Sequence, residues 1–291
     1  MNSEIERKFF FDASRWRGNP FRSEVLEQGY LAQTGAWEAR LRRSGTELRY
    51  TLKSGSGLDR AEWEIPLAAN DFDALWPQTL GHRVSKRRDR YRRKGLTVEV
   101  DRYDGALAGL TVAEVEFPTR AAAWSFTPPR GFGPELTYDP RFRNRALAEG
   151  SGAPLAPPEQ DPAGWSFGAV PYRRGPKGWE IVIITTRHQD RWIFPKGQPE
   201  PGLGYDRVAL SEAREEAGVT CKVAGHPFVL PYARDAGTTN LLLYPVAVSE
   251  LADRWLELGQ RDRKIIRLED AEAHGELIGL GARWLRDWIA K

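Results

Sequence analysis

The sequence predicts an α+β protein of two domains, an antiparallel β-barrel followed by an α/β/α sandwich. Three observations lead there. The chain has 291 residues, which suggests two domains rather than one. Short segments alternating apolar and polar residues dominate its first half, and glycine-containing turns such as Ser54–Gly57 and Lys94–Gly95 separate several of them. A stretch rich in Pro, Gly and Ala, Glu149–Gly164, then interrupts the pattern, and beyond it strands mix with helices. The expected domains are therefore 1–148 and 165–291, joined by a linker at 149–164.

Taken in order, Glu4–Phe11, Trp37–Arg43, Leu48–Lys53, Ala61–Pro66, Leu96–Tyr103 and Leu110–Phe117 read as strands. Asn70–Leu75 and Thr119–Trp124 read as short helices between them. Such spacing suits a barrel or a sandwich. After the linker come a strand at Trp179–Thr185, a loop at Arg187–Gly204, a helix at Tyr205–Ala217, further strands, and a closing helix near Leu280–Ala290. Trp284, Leu285, Trp288 and Ile289 fall at helical spacing and read as a packing face.

Composition narrows the function. With 41% hydrophobic and 29% charged residues, the chain is of soluble globular type, and no run of eighteen apolar residues occurs. The opening, Met1 to Phe11, has no apolar signal core. Cys221 is the only cysteine, which excludes an internal disulfide and a cysteine zinc site and points to a reducing cytoplasm. The four histidines are scattered without metal-ligand spacing. The net charge of +3 hides an asymmetry: 25 basic and 21 acidic residues in 1–150, against 18 and 19 in the rest. A basic excess suits nucleic acid or a phosphate-rich small molecule, and no nucleic-acid motif accompanies it. The expected partner is a small triphosphate or polyphosphate, with neither a membrane nor nucleic acid.

The period of the charges is more informative than their sum. Glu4, Glu6 and Lys8 are spaced by two, as are Arg40 and Arg42, Glu62 and Glu64, Glu99 and Asp101, Glu114 and Glu116, and Arg49, Thr51 and Lys53. A strand repeats its facing every two residues, so each set shares one face. Any one pair alone is an ordinary solvated face. Together, with apolar residues such as Ile5, Leu41, Leu52, Trp63, Val100 and Val115 between them, they suit a barrel whose lumen is charged and whose core lies outside. Acidic and basic strands form largely separate sets, which predicts carboxylates on one wall and cations on another. Carboxylate clusters hold hard divalent metals, and Arg and Lys neutralise phosphate oxygens.

These residues resemble the CYTH superfamily, the triphosphate tunnel metalloenzymes. Glu4-Ile5-Glu6-Arg7-Lys8 matches the signature Glu, any, Glu, any, Lys. The match continues through Gln28-Gly29-Tyr30-Leu31, Arg40-Leu41-Arg42, Thr51-Leu52-Lys53-Ser54-Gly55, Arg60 with Glu62 and Glu64, Lys86 with Arg88, Glu99-Val100-Asp101, Ala113-Glu114-Val115-Glu116 and Asn144–Ala148. The resemblance implies a closed tunnel of eight strands and Mg²⁺ or Mn²⁺ as cofactor. It implies that Glu4, Glu6, Glu62, Glu64, Glu114 and Glu116 hold metal with help from Asp101, that Glu4 and Glu6 are catalytic, and that Lys8, Arg40, Arg42, Lys53, Lys86 and Arg88 grip the triphosphate. The chain departs from the pattern at Phe142, where relatives often carry Tyr. Arg87, Arg92 and Arg93 lie outside the pattern and read as a solvated basic face.

Residues 165–291 resemble the Nudix hydrolases. Gly197, then Glu212, Glu215, Glu216, Gly218 and Val219 fall on positions of the Nudix box, with Trp192–Gly197 as its usual lead and Ser166–Val170 like its first strand. The three glutamates share one face of a helix and would hold a second metal. Two positions depart: Leu203 stands for the first box Glu and Ser211 for the box Arg. Losing both leaves no orphan charge, but it removes the support that orients the glutamates; Glu200 is the nearby acid that could substitute. The whole reads as a metal-dependent phosphoanhydride hydrolase. The barrel would cleave tripolyphosphate or a related triphosphate, and the second domain would hydrolyse or bind a diphosphate-linked molecule. Two alternatives stay open: an adenylate cyclase, and a polyphosphate or nucleotide sensor with a non-catalytic second domain.

Overall fold

The computed structural model describes residues 2–34, 37–188, 191–234 and 237–290. Gln189 and Asp190, within the loop expected at Arg187–Gly204, lie outside the described residues. The chain forms two compact units that divide between Pro157 and Pro158, inside the Pro-rich stretch.

In the first unit the alternating segments close on themselves. The strands are β1 (Asn2–Phe11), β2 (Arg22–Thr34), β3 (Trp37–Ser44), β4 (Glu47–Ser56), β5 (Asp59–Pro66), β6 (Arg83–Arg93), β7 (Leu96–Tyr103) and β8 (Thr111–Phe117). They pair antiparallel in the ring order β1-β5-β4-β3-β2-β6-β7-β8, and β8 returns to β1. β1 is the clasp: its start pairs with β5, placing Glu4 opposite Arg60, and its middle pairs with β8, placing Lys8 opposite Glu114. Full closure removes the free strand edges of an open sheet. A ninth strand, β9 (Phe132–Glu135), extends the pairing of β1 beyond the ring. Helix α1 (Ala69–Leu75) follows β5 and helix α2 (Arg120–Ser125) follows β8. A 3-10 turn at Pro140–Phe142 leads into the short helix α3 (Asn144–Ala148).

The barrel's apolar core lies outside the ring, between strands and covering segments. The outward face of β1 carries Arg7, Phe9 and Phe11, all buried. Phe9 and Phe11 meet Phe132 edge to face at centroid distances of 5.3 and 5.6 Å, and Phe11 meets Trp16 at 5.4 Å. Each such pair contributes about 0.5–1.5 kcal/mol beyond its area. Arg7 is tied to Glu135 by two bonds of 2.9 and 2.7 Å and donates to the carbonyl of Ala123 at 2.9 Å. Leu41, Val100 and Val115 are fully buried, whereas Trp63 remains 41% exposed. With the core outside, the lumen is free to hold charge.

The second unit contains β10 (Trp165–Gly175), β11 (Gly178–Thr185), β12 (Trp192–Ile193), β13 (Lys196–Gly197), α4 (Tyr205–Ala217), β14 (Val219–Val223), β15 (Phe228–Arg234), β16 (Gly237–Leu251), β17 (Arg263–Arg267) and α5 (Glu276–Ile289). β10 runs parallel to β16 on one side and pairs antiparallel with β11 and β13 on the other. β11 carries β12 and β17, and β16 carries β14 and β15. Phe167 and Tyr172 are five apart on β10 and so face opposite sides. Phe167 stacks on Tyr205 of α4 at 4.1 Å, and Tyr172 meets Trp288 of α5 at 5.6 Å. The unit is thus an α/β/α sandwich, with Trp284 stacked between Phe228 and Trp288 as the packing face of α5. Among the described residues, no helix is long and apolar enough to cross a membrane.

Candidate active site

The strands that close the barrel bring the two-residue charge sets onto its inner face. The order around the ring sorts them by sign. β7, β8, β1 and β5 are neighbours and contribute Glu99, Asp101, Glu114, Glu116, Glu4, Glu6, Glu62 and Glu64. The opposite side, from β4 through β3 and β2 to β6, contributes Lys53, Arg40, Arg42, Lys86, Arg88 and Arg90. Lys8 on β1, Arg60 on β5 and Glu38 on β3 depart from this division, and Arg60 pairs with Glu38 at 3.1 Å. The lumen holds a cavity of about 240 Å³ lined by side chains of both walls, Gln28 and Tyr30 among them. It opens outward into a second cavity of about 430 Å³, which shares Arg42, Glu64, Arg90, Glu99 and Glu116 with it and whose rim includes Phe21, Arg22, Arg49 and Arg92.

The other end is closed by the segment around α3. The Phe142 ring packs edge to face on Phe10 at 5.3 Å, and Lys8 Nζ donates to the Phe142 carbonyl at 3.1 Å. The Phe142 departure therefore keeps the contact that matters, a ring against a ring. Asn144 accepts from Tyr103 Oη, and from Lys86 Nζ at 3.4 Å. Arg92 and Arg93 are exposed, as read from the sequence, and Arg93 lies over the Trp16 ring at 5.0 Å.

The walls meet through ion pairs. Lys53 Nζ lies 2.5 Å from Glu4 and 3.2 Å from Glu62. Arg42 reaches Glu64 at 3.0 Å, Lys8 reaches Glu114 at 2.8 Å, and Lys86 reaches Asp101 at 2.5 Å. Arg88 touches Glu99, and it reaches Asp101 and Glu114 at 2.6 Å each. Burial works against charge on Arg88, yet Asp101 and Glu99 beside it hold it well above the ordinary guanidinium range. Burial also works against Glu114, but Lys8, Lys86 and Arg88 hold it well below the usual carboxylate range. Lys86 is pushed down by burial despite Asp101.

Two observations bear on a divalent metal and an anion. Glu6 is raised above the usual carboxylate range by burial and then by Glu114 and Glu4, and Glu116 is pushed up to about 7 by burial and then by Glu99, Glu4 and Glu6. Crowded carboxylates of this kind, with hard oxygen donors, suit Mg²⁺ or Mn²⁺, which would relieve their repulsion. Among the described residues no three such side chains stand together as a ready cage, and cations engage several of them. On the basic wall, Arg40 is 6% exposed, and its Nε has no hydrogen-bond partner among the described residues. A buried donor without an acceptor suits an anionic oxygen in the lumen.

The CYTH domain family matches residues 2–126. Over 150 residues the chain is 44% identical to an inorganic triphosphatase of Nitrosomonas europaea, covering 50% of this chain and 97% of that one. The chain belongs to the CYTH family. An inorganic triphosphatase of Acetivibrio thermocellus is 29% identical over 151 residues, covering 51% of this chain and 95% of that relative. Outside the CYTH inorganic triphosphatases, the chain is 32% identical over 94 residues to diphosphoinositol polyphosphate phosphohydrolase 3-alpha of Mus musculus, covering 31% of this chain and 56% of that protein. Sequence reasoning on the CYTH barrel missed Arg90 and Glu38, which line the lumen, and Glu24, which touches Arg90 and lines the outer cavity; Arg90 and Glu24 lie on β6 and β2, the two strands it did not identify.

In the second unit, Glu212, Glu215 and Glu216 lie on α4. Gly197 permits the close approach of α4 to β13, since a Cβ there would fall on the Glu212 carboxylate. Burial, then Glu216 and Glu215, push Glu212 up to about 7. Glu215 accepts from Ser211 Oγ at 2.7 Å, and Glu216 accepts from the Lys196 N–H at 2.9 Å. Leu203 is 38% exposed. Glu200, the acid suggested as a substitute, is exposed and contributes its backbone carbonyl to Leu203. The buried partner of Glu216 is instead Arg261, at 2.5 Å, a residue beyond the box altogether.

Proposed function

We propose that the CYTH barrel hydrolyses inorganic tripolyphosphate, or a related triphosphate, with Mg²⁺ or Mn²⁺ as cofactor. The observation that carries this reading is the division of the lumen into an acidic and a basic wall around one cavity. A triphosphate resists attack by water because its charges repel the nucleophile. Lys8, Arg40, Arg42, Lys53, Lys86 and Arg88 would neutralise those charges in a site shielded from bulk water, where such contacts are strongest. Glu4, Glu6, Glu62, Glu64, Glu114 and Glu116, with Asp101, would hold the metal, which when bound polarises phosphoryl oxygens. Burial, and then the neighbouring carboxylates, raise Glu6 and Glu116, and a divalent metal between them would relieve that repulsion. The names of the two inorganic triphosphatase relatives support the substrate. The lone Cys221 fits a cytoplasmic setting.

The test is phosphate release from tripolyphosphate by the full chain. Release is expected with Mg²⁺ or Mn²⁺, to vanish with excess chelator, and to be lost in Glu4→Gln with Glu6→Gln while the fold is kept. Undiminished release in chelator would sink the metal role, and a fully active double variant would remove the two glutamates from the reaction. For the second unit, the proposal is that Glu212, Glu215 and Glu216 bind a divalent metal and that the unit hydrolyses or binds a diphosphate-linked molecule. Its resemblance to the Nudix box and the name of the phosphohydrolase relative support it.

A further inference from the structure

The box in the second unit lacks the cation that would normally orient its glutamates, yet Glu216 is not left to itself. Arg261 is 8% exposed and makes three contacts in different directions. Its Nη2 lies 2.5 Å from Glu216 Oε1, its Nε donates to Glu257 Oε2 at 2.5 Å, and its Nη1 donates to the Thr185 carbonyl at the end of β11 at 3.0 Å. Glu257 is itself held twice: its N–H donates to the Glu215 carbonyl at 3.1 Å, and its second oxygen accepts from Arg187 at 2.6 Å. The guanidinium is thus fixed by a strand end, by a carboxylate and by the last turn of α4. A planar fork fixed at three points restricts the carboxylate it grips far more than a flexible ammonium would. The other Glu216 oxygen is fixed by the Lys196 N–H, so the carboxylate has one orientation.

We propose that Arg261, anchored by Glu257, is a positioning residue that replaces the Glu–Arg pair the box lacks at Leu203 and Ser211, and fixes Glu216 for binding a divalent metal. It supplies from beyond the box the orientation that Glu and Arg would supply from within it, and it does so without entering the ligand set. The inference rests on the proposed metal role of α4.

The test uses the full chain and reads the metal at α4 alone: hydrogen–deuterium exchange of the amides of 205–217 during a titration with Mn²⁺. Arg261→Lys keeps the charge, and so the repulsion between cation and metal, but loses the three-point grip. In the wild type, Mn²⁺ slows exchange in this segment. In Arg261→Lys the Mn²⁺ concentration at half effect rises on the order of tenfold, the loss typical of groups that orient metal ligands. Adding Leu203→Glu and Ser211→Arg to Arg261→Lys brings the midpoint back toward the wild-type value. An unchanged midpoint in Arg261→Lys overturns the proposal, as does a triple variant that stays where the single variant lies. Fast exchange across all of 158–290 in metal-free Arg261→Lys also overturns it, by making the residue a packing element alone. If wild-type α4 does not respond to Mn²⁺ at all, the metal reading beneath the proposal fails, and that result differs from the other three.

Discussion

Arg40 shows what a single side chain can contribute to this barrel. It is buried on the basic wall, 3.7 Å from Glu62, with its Nε unmatched by any described residue. Removing it takes away a charge-assisted contact in a site shielded from bulk water, and such contacts are worth about 1.5–3 kcal/mol. Arg40→Ala is therefore expected to raise the half-saturating tripolyphosphate concentration on the order of tenfold, and to lower the rate as well, since charge also shifts as the bond breaks. Steady-state kinetics check this, and unchanged constants would place Arg40 outside the reaction. Phe142 makes the complementary point. Its contact with Phe10 needs a ring and not a hydroxyl, so the chain differs from its relatives there without opening the tunnel's closed end.

At the level of elements, α4 depends on the strand beneath it. Gly197→Ala would drive a methyl group into the Glu212 carboxylate, so the helix must shift or Glu212 must turn away. Overpacking of this kind costs about 1–3 kcal/mol. Chemical denaturation followed by a probe in the second unit is expected to show that loss, together with weaker Mn²⁺ binding. The strands rich in apolar alternation were legible in the sequence: β1, β3, β4, β5 and β7 contain the segments expected there, and β8 starts one residue later than expected, at Thr111. β6 was not, for a physical reason. Its inner face carries Lys86, Arg88 and Arg90, and its outer face carries Arg87 and Asp89, the latter paired with Ser23 and Arg102. A strand charged on both faces has no apolar period to read. The glutamates of the site were legible because a period of two groups them. Which cation meets which carboxylate was not, since that depends on how eight strands close. Arg261 was invisible for a similar reason: it lies 45 residues after Glu216 in the chain and reaches it only through the fold.

At the scale of the whole molecule, the net charge of +3 says little, because a dense group of opposing charges meets in one lumen. A polyanion carried in with a divalent cation would complement both walls at once and bind only the folded barrel. Imidotriphosphate, whose P–N–P links resist hydrolysis, is therefore expected with Mg²⁺ to raise the melting temperature of the full chain. At a hundredfold excess over its dissociation constant the gain is about 2.7 kcal/mol. A melt that does not move at saturating ligand would argue that the lumen does not take a triphosphate. The clasp made by β1 has a consequence of a different kind. β1 has its partners at residues 59–62 and 112–117, so the ring cannot close until β8 has been made. Until then β1 can pair only at its start, with β5, and Phe9, Phe10 and Phe11 beyond that pairing stay uncovered, an aggregation hazard during synthesis.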